Sequence, residues 1–159
     1  MRILLTGAGG AAAISVWKSL ADQHELYMGD IDPCSAGLYL VPPAQRLMLL
    51  EGDDPAFVQN IFDLCKENKI EVLIPTVDTE LAPLAAVSAK FLEIGVKIPI
   101  SPFEALKICR DKYQLLHYCQ DIVSVPEFFL LTPEIVANIN RFPLFAKPRE
   151  GAGSRRPHE

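Results

Sequence analysis

Short runs of branched and aliphatic residues alternate along the chain with longer stretches in which apolar positions recur every three or four residues. This alternation predicts parallel strands joined by crossover helices. The run from Arg2 to Thr6 opens the pattern. Ile14, Trp17 and Leu20 then fall on one face of a helix expected over 10–21, and 25–29 returns to a strand, which completes one βαβ unit. An irregular connection over 31–44, marked by Pro33, Gly37, Pro42 and Pro43, precedes the apolar run Leu47 to Leu50. Asp53 and Asp54 stand where a helix cap belongs, and Pro55 suits the first helical position. Phe57, Ile61, Phe62 and Leu64 then recur at helical spacing up to Lys69.

Strands expected at 70–75 and 96–100 flank a helix over 80–94, which tolerates Pro83 in its first turn and stops at Gly95. Ser101-Pro102 and Thr132-Pro133 each set a capping hydroxyl before a proline and predict helices over 102–120 and 133–140. Residues 127–131 and 144–147 read as further strands. The fold class is therefore α/β, with a Rossmann-like parallel sheet over 1–100 and linking helices over 101–124. A smaller unit over 125–159 is too short to close a core by itself.

The 159 residues, half of them hydrophobic, are enough for one domain with a substantial core. A formal net charge of -5 leaves no basic field of the kind that holds nucleic acid, so that partner is excluded. No apolar run approaches the roughly 20 residues that cross a bilayer. Thr6, Gly7, Gly9 and Gly10 also interrupt the N-terminal run where a signal peptide would be continuous, so the expected location is the cytoplasm. Cys34, Cys65, Cys109 and Cys119 contain no C-x-x-C pair, and His24, His117 and His158 add no metal-ligand spacing. The cysteines read as free thiols in a reducing compartment.

Gly7-Ala8-Gly9-Gly10-Ala11-Ala12 follows the first strand, opens a helix and fits G-x-G-x-x-A, with Asp30 and Asp32 about 20 residues on. Two readings stay open. One is a dinucleotide site of the NAD type, with backbone amides on the pyrophosphate and an acid on the ribose. In the other, the glycines only permit a tight turn and close helix-sheet packing. A short-chain dehydrogenase would also carry a Tyr with a Lys four positions later. The residues four after Tyr27, Tyr39, Tyr113 and Tyr118 are Ile31, Pro43, His117 and Ile122, and no Gly-Lys pair supplies a Walker A loop.

At the other end, Pro143-Leu144-Phe145-Ala146-Lys147-Pro148 runs into Arg149-Glu150-Gly151-Ala152-Gly153-Ser154-Arg155. A lysine closing an apolar run before a small-residue loop offers one fixed cation and a set of backbone N–H groups, which suits a polyphosphate. A solvated loop with an incidental lysine is the alternative. This stretch resembles the ATP-grasp superfamily, in which a strand ending in Lys-Pro leads into a glycine-rich lid over the ATP phosphates. The resemblance extends upstream through the segment Ile70 to Leu81, through Ser101-Pro102-Phe103-Glu104-Ala105, and through Arg110-Asp111-Lys112-Tyr113. These are similar in kind to the pre-ATP-grasp domain and Asp-Lys helix of carbamoyl-phosphate-synthase-like and related carboxylate-amine ligases. The likeness runs in order from the first strand to about Arg155.

The resemblance implies a pre-ATP-grasp domain followed by the beginning of an ATP-grasp subdomain, with ATP and magnesium as cofactors. It implies that Lys112 and Lys147 reach the nucleotide phosphates, with Lys147 also near the adenine, and that Gly151, Ala152, Gly153 and Ser154 form the lid. Lys112 considered alone reads equally as a surface lysine paired with Asp111 or another neighbour. Gly7 and Gly9 become structural or face the acceptor substrate. Asp78 and Glu80, at the carboxyl end of a strand, either face that substrate or cap the next helix.

After Ser154-Arg155 the family pattern calls for another glycine and a strand, whereas this chain reads Arg156-Pro157-His158-Glu159. The groups that grip adenine, ligate magnesium and stabilise an acyl-phosphate are expected outside the chain, and no catalytic or metal residue is assigned within it. The expected function is that of a truncated front portion of an ATP-dependent ligase. Such a ligase activates a small carboxylate as an acyl-phosphate and joins it to an amine or other nucleophile. The portion is expected to be inactive alone, with a second copy or a missing complementary segment as its candidate partner. A stand-alone NAD-type module and a non-catalytic interaction subunit are the alternatives.

Overall fold

Alternation along each strand decides which side of the sheet a residue faces. In a computed structural model describing residues 1–151, the strands are β1 (Arg2–Leu5), β2 (Glu25–Asp30), β3 (Arg46–Met48) and β4 (Val72–Ile74). They form a four-stranded sheet in the order β3-β2-β1-β4, with every pairing parallel. Leu4 lies between Tyr27 and Leu73 in register, so the central strand is covered on both edges.

The two faces carry separate cores. On one, Ile3, Leu5, Leu26 and Met28 pack with Ala13 of α1 (Ala11–Leu20) and with Leu38 and Val41 of the irregular connection. On the other, Leu4, Tyr27, Leu47 and Leu73 meet Phe57, Ile61 and Cys65 of α2 (Phe57–Glu67) and Leu84 and Phe91 of α3 (Asp78–Glu93). This is the three-layer arrangement that a parallel sheet requires, because both its faces must be buried. Phe62 meets Phe91 edge-on at a centroid distance of 5.2 Å. Burial pushes the Cys65 thiol up to about 12, which makes it a packing residue and a poor nucleophile.

Three expectations shift. The helix after Asp53 and Asp54 begins only at Phe57. Asp54 spends its carboxylate on the Ala56 amide at 2.7 Å and its carbonyl on Phe57 at 3.0 Å, forming a turn ahead of the helix. Residues 96–100 do not extend the sheet as a full strand. They contribute one bridge, Val72 with Lys97, through Leu73 N–H to Lys97 O and Lys97 N–H to Glu71 O, both 2.9 Å. The helix expected over 102–120 divides at Asp111 into α4 (Phe103–Arg110) and α5 (Lys112–Cys119).

The chain separates into two compact units, Met1–Phe103 and one that begins at Glu104. In the second, the strands expected at 127–131 and 144–147 are not formed among the described residues. A strand needs a neighbour to take its N–H and C=O groups, and apolar composition alone supplies none. Thr132 caps α6 (Pro133–Asn138) by accepting from the Ile135 amide at 3.3 Å. No helix among the described residues is long and apolar enough to cross a membrane.

Phe91 is fully buried, while its neighbour Leu92 is 59% exposed. Phe91→Ala is expected to lower the unfolding free energy by about 3–5 kcal/mol and Leu92→Ala by about 0.5 kcal/mol or less. Urea denaturation of both variants checks the assignment of the core, and equal losses would contradict it.

Candidate functional site

The sheet order places the change of winding direction between β1 and β4, where open α/β sheets leave a crevice at the carboxyl ends of their strands. The two turns at that edge are tied together. The buried Thr6 hydroxyl donates to Glu80 Oε2 in a short hydrogen bond and accepts from the Thr76 amide at 3.0 Å. Thr76 Oγ1 donates back to the Thr6 carbonyl at 2.8 Å. Gly7 has φ of 62°, and a Cβ there would lie 2.6 Å from Val77 Cγ2, so only glycine fits this approach.

The glycine turn spends its own donors. The Ala8 amide donates to Gly29 O at 3.1 Å, Gly10 to Gly7 O at 2.8 Å, and Gly9 to Asp30 Oδ2 at 2.8 Å. Asp30 also accepts from the Asp32 amide at 3.1 Å, and Asp32 from Cys34 at 2.8 Å. Gly37 lies against the other side of the turn, with its amide on Ala8 O at 3.1 Å. The amides of Ala8, Gly9 and Gly10 and the acids at the end of β2 are thus already matched to one another. That is the packing reading of the motif, with no amide among those three left for a pyrophosphate.

Asp78 and Glu80 part ways. Asp78 is exposed in the first turn of α3, whereas Glu80 is 4% exposed and holds Thr6. Neither side chain is the N-cap, a position held by Val77. Gly52 covers the start of α3 so closely that a Cβ would sit 2.8 Å from the Glu80 nitrogen. Burial pushes the Glu80 carboxyl up to about 7; hydrogen bonds from Thr6 and the Val77 backbone pull against this, and the charge of Asp30 adds to it. The edge of the sheet therefore carries a buried carboxyl group whose ionisation is disfavoured, beside an exposed Asp78.

In the second unit, Lys112 is half-buried at the first position of α5. Its backbone amide donates to Arg149 O at 2.9 Å, and its Nζ donates to Gly151 O at 2.9 Å and Arg149 O at 3.3 Å. Asp111, the only fully buried described residue of this unit, accepts from the amides of Tyr113 at 3.0 Å and Gln114 at 3.2 Å. It is also gripped by Arg149 through Nε at 3.2 Å and a short contact to Nη2. The Arg149 guanidinium holds the Asp111 carboxyl well below the usual carboxylate range. Lys112 and Gly151 are brought together. Lys147 is exposed and makes no hydrogen bond or ion pair among the described residues. Ala152, Gly153 and Ser154 lie outside the described residues. No group of three or more potential metal ligands is assembled among the described residues.

Thr6, Thr76, Asp111 and Arg149 escaped the list of candidate site residues. The only local signal was Asp111 directly before a helical Lys112; the partners across 70, 74 and 38 positions leave no trace in local spacing.

Residues 3–99 match the model of the PylC-like N-terminal domain, and the chain belongs to that family, a domain that precedes ATP-grasp. Among solved structures it is similar to glycinamide-RNase-transformylase T from Mycobacterium tuberculosis, with a TM-score of 0.59 and 10% identity over 86% of this chain and 39% of that one. It is also similar to N5-carboxyaminoimidazole ribonucleotide synthetase from Thermotoga maritima, with a TM-score of 0.59 and 18% identity over 86% of this chain and 35% of that one. The chain thus spans well under half the length of either structure. At these identities the likeness establishes the fold alone: a mixed α/β unit with a parallel four-stranded sheet. No curated protein matches the chain.

The raised Glu80 value fixes a pH dependence. Below about pH 4.5 the carboxyl is protonated in both states; as pH rises the unfolded chain ionises first, while the folded state keeps its proton to about 7. Stability contributed by the neutral form is therefore lost through that window, by up to about 3 kcal/mol. Glu80→Gln should remove this loss, so in thermal melts the stability of the variant relative to the parent should rise from pH 4.5 to 7. Parallel curves across the window would contradict the burial of an ionisable Glu80.

Proposed function

We propose that the chain is the front portion of an ATP-dependent ligase, one that activates a carboxylate as an acyl-phosphate and joins it to an amine or other nucleophile. The observation that carries this reading is Lys112 Nζ resting on the carbonyls of Arg149 and Gly151, at the mouth of the glycine-rich loop. An ammonium held there by weak carbonyl dipoles can exchange them for the stronger charge of a triphosphate and keep the loop beside it. Family membership over 3–99 supplies the setting.

In this reading Lys112 and Lys147 hold phosphate oxygens, and Gly151, Ala152, Gly153 and Ser154 close over them. The edge carrying Asp78, Gly7 and Gly9 faces the acceptor carboxylate. Magnesium, when bound, would supply charge neutralisation at the phosphates, and no described residue of this chain is assigned to hold it. Phosphoryl transfer depends almost wholly on such positioning, so the chain by itself contributes binding and little turnover. An NAD-type role is disfavoured by the committed amides of Ala8, Gly9 and Gly10.

Calorimetric titration of ATP and of NAD into the parent, Lys112→Ala, Lys147→Ala and Asp32→Ala tests this. ATP is expected to bind in preference to NAD, each lysine variant to weaken it by about ten-fold or more, and Asp32→Ala to leave it unchanged. NAD binding that is abolished by Asp32→Ala alone would overturn the proposal.

A further inference from the structure

The start of a helix leaves amides without intrahelical partners, and in α5 the N-cap carboxylate satisfies two of the first three while the remaining one finds a distant partner. Tyr113 and Gln114 donate to the Asp111 carboxylate, but Lys112, the first of them, donates to the carbonyl of Arg149, 37 residues further along the chain. The side chain of that same Arg149 returns to Asp111 with two of its nitrogens. Its guanidinium carbon also stands 5.7 Å from the centre of the Tyr113 ring, which in turn meets Phe128 edge-on at 5.5 Å. A single residue thus binds the helix start by its backbone and by its side chain.

We infer that Asp111 and Arg149 are positioning residues that act as one latch, fixing the backbone of Arg149 on the start of α5 so that Lys112 Nζ rests on the carbonyls of Arg149 and Gly151. The latch is built for permanence. Asp111 is 3% exposed and takes hydrogen bonds on both oxygens, three from α5 and two from Arg149, so its charge is fully matched only while Arg149 is docked. The contacts of Lys112 Nζ are of the opposite kind. They are two neutral carbonyls, one at 3.3 Å, and a lysine head can leave them without unpairing any buried charge. The latch holds still while the ammonium is free to change partners. Its part in binding nucleotide rests on the function proposed above; its hold on Lys112 does not.

The test uses Arg149→Ala and Asp111→Ser, because serine still caps the helix while losing the carboxylate that Arg149 grips. Amide exchange followed by NMR reads the latch without any nucleotide. The Lys112 amide is expected to exchange about ten-fold faster in either variant, and no faster in the double variant, while Tyr113 and Gln114 keep their protection in Asp111→Ser. An unchanged Lys112 amide in both single variants overturns the inference. ATP titration is the second reading: each single variant should weaken binding by about ten-fold and the pair together by no more. If Arg149→Ala costs as much in the Asp111→Ser background as in the parent, Arg149 acts on the nucleotide directly and the latch is wrong. If the parent binds no ATP while the Lys112 amide responds as expected, the latch stands and the proposed ligase function falls.

Discussion

One hydroxyl joins the two turns on which the sheet edge depends. Thr6 directly follows β1 in the interior, where a polar side chain is tolerated only if its hydrogen-bonding capacity is used. It donates to Glu80 and accepts from Thr76, and the rest of the edge follows. Glu80 must be drawn inward at the start of α3, which raises its pKa. The turn after β1 must pass close to Val77, which admits only glycine at position 7. A motif that resembles a dinucleotide loop is thereby filled from within, with the Gly9 amide donating to Asp30.

The second unit solves a similar problem with far less hydrophobic material. Its one fully buried described residue is a carboxylate, and Phe142 and Phe145 remain 79% and 88% exposed. Order at the start of α5 therefore leans on polar matching more than on a core. Charge-assisted bonds from Arg149 to Asp111 are strong and directional enough for that task. Family membership is carried by residues 3–99 of the first unit, while in the second unit Lys112 Nζ rests on the carbonyls of Arg149 and Gly151.

Much of the first unit was legible in the sequence because its signals are local. Ile14, Trp17 and Leu20 announce α1, and the alternation in β1 and β2 separates Leu4 and Tyr27 from Ile3, Leu5, Leu26 and Met28, as the two cores require. Boundaries failed where a side chain outbid the helix or sheet. Asp54 folds a turn ahead of α2, and Asp111 ends one helix by capping the next. The segments 127–131 and 144–147 carry strand-like composition, but pairing is a property of two segments, and no partner strand stands beside them among the described residues. Lys112, Lys147 and the glycines could be singled out by type and order. Thr6 with Glu80 and Asp111 with Arg149 could not, since neither pair has a spacing that repeats.

The central claim is that phosphate is met by the Lys112 loop and not by the glycine turn after β1. Backbone amide shifts, followed by NMR as ATP is added to the 15N-labelled chain, test it directly. Saturable shifts are expected at Lys112, Arg149 and Gly151, with the amides of Ala8, Gly9 and Gly10 remaining on their internal partners and unmoved. Shifts concentrated at Ala8, Gly9 and Gly10, with Lys112 and Gly151 silent, would contradict the account.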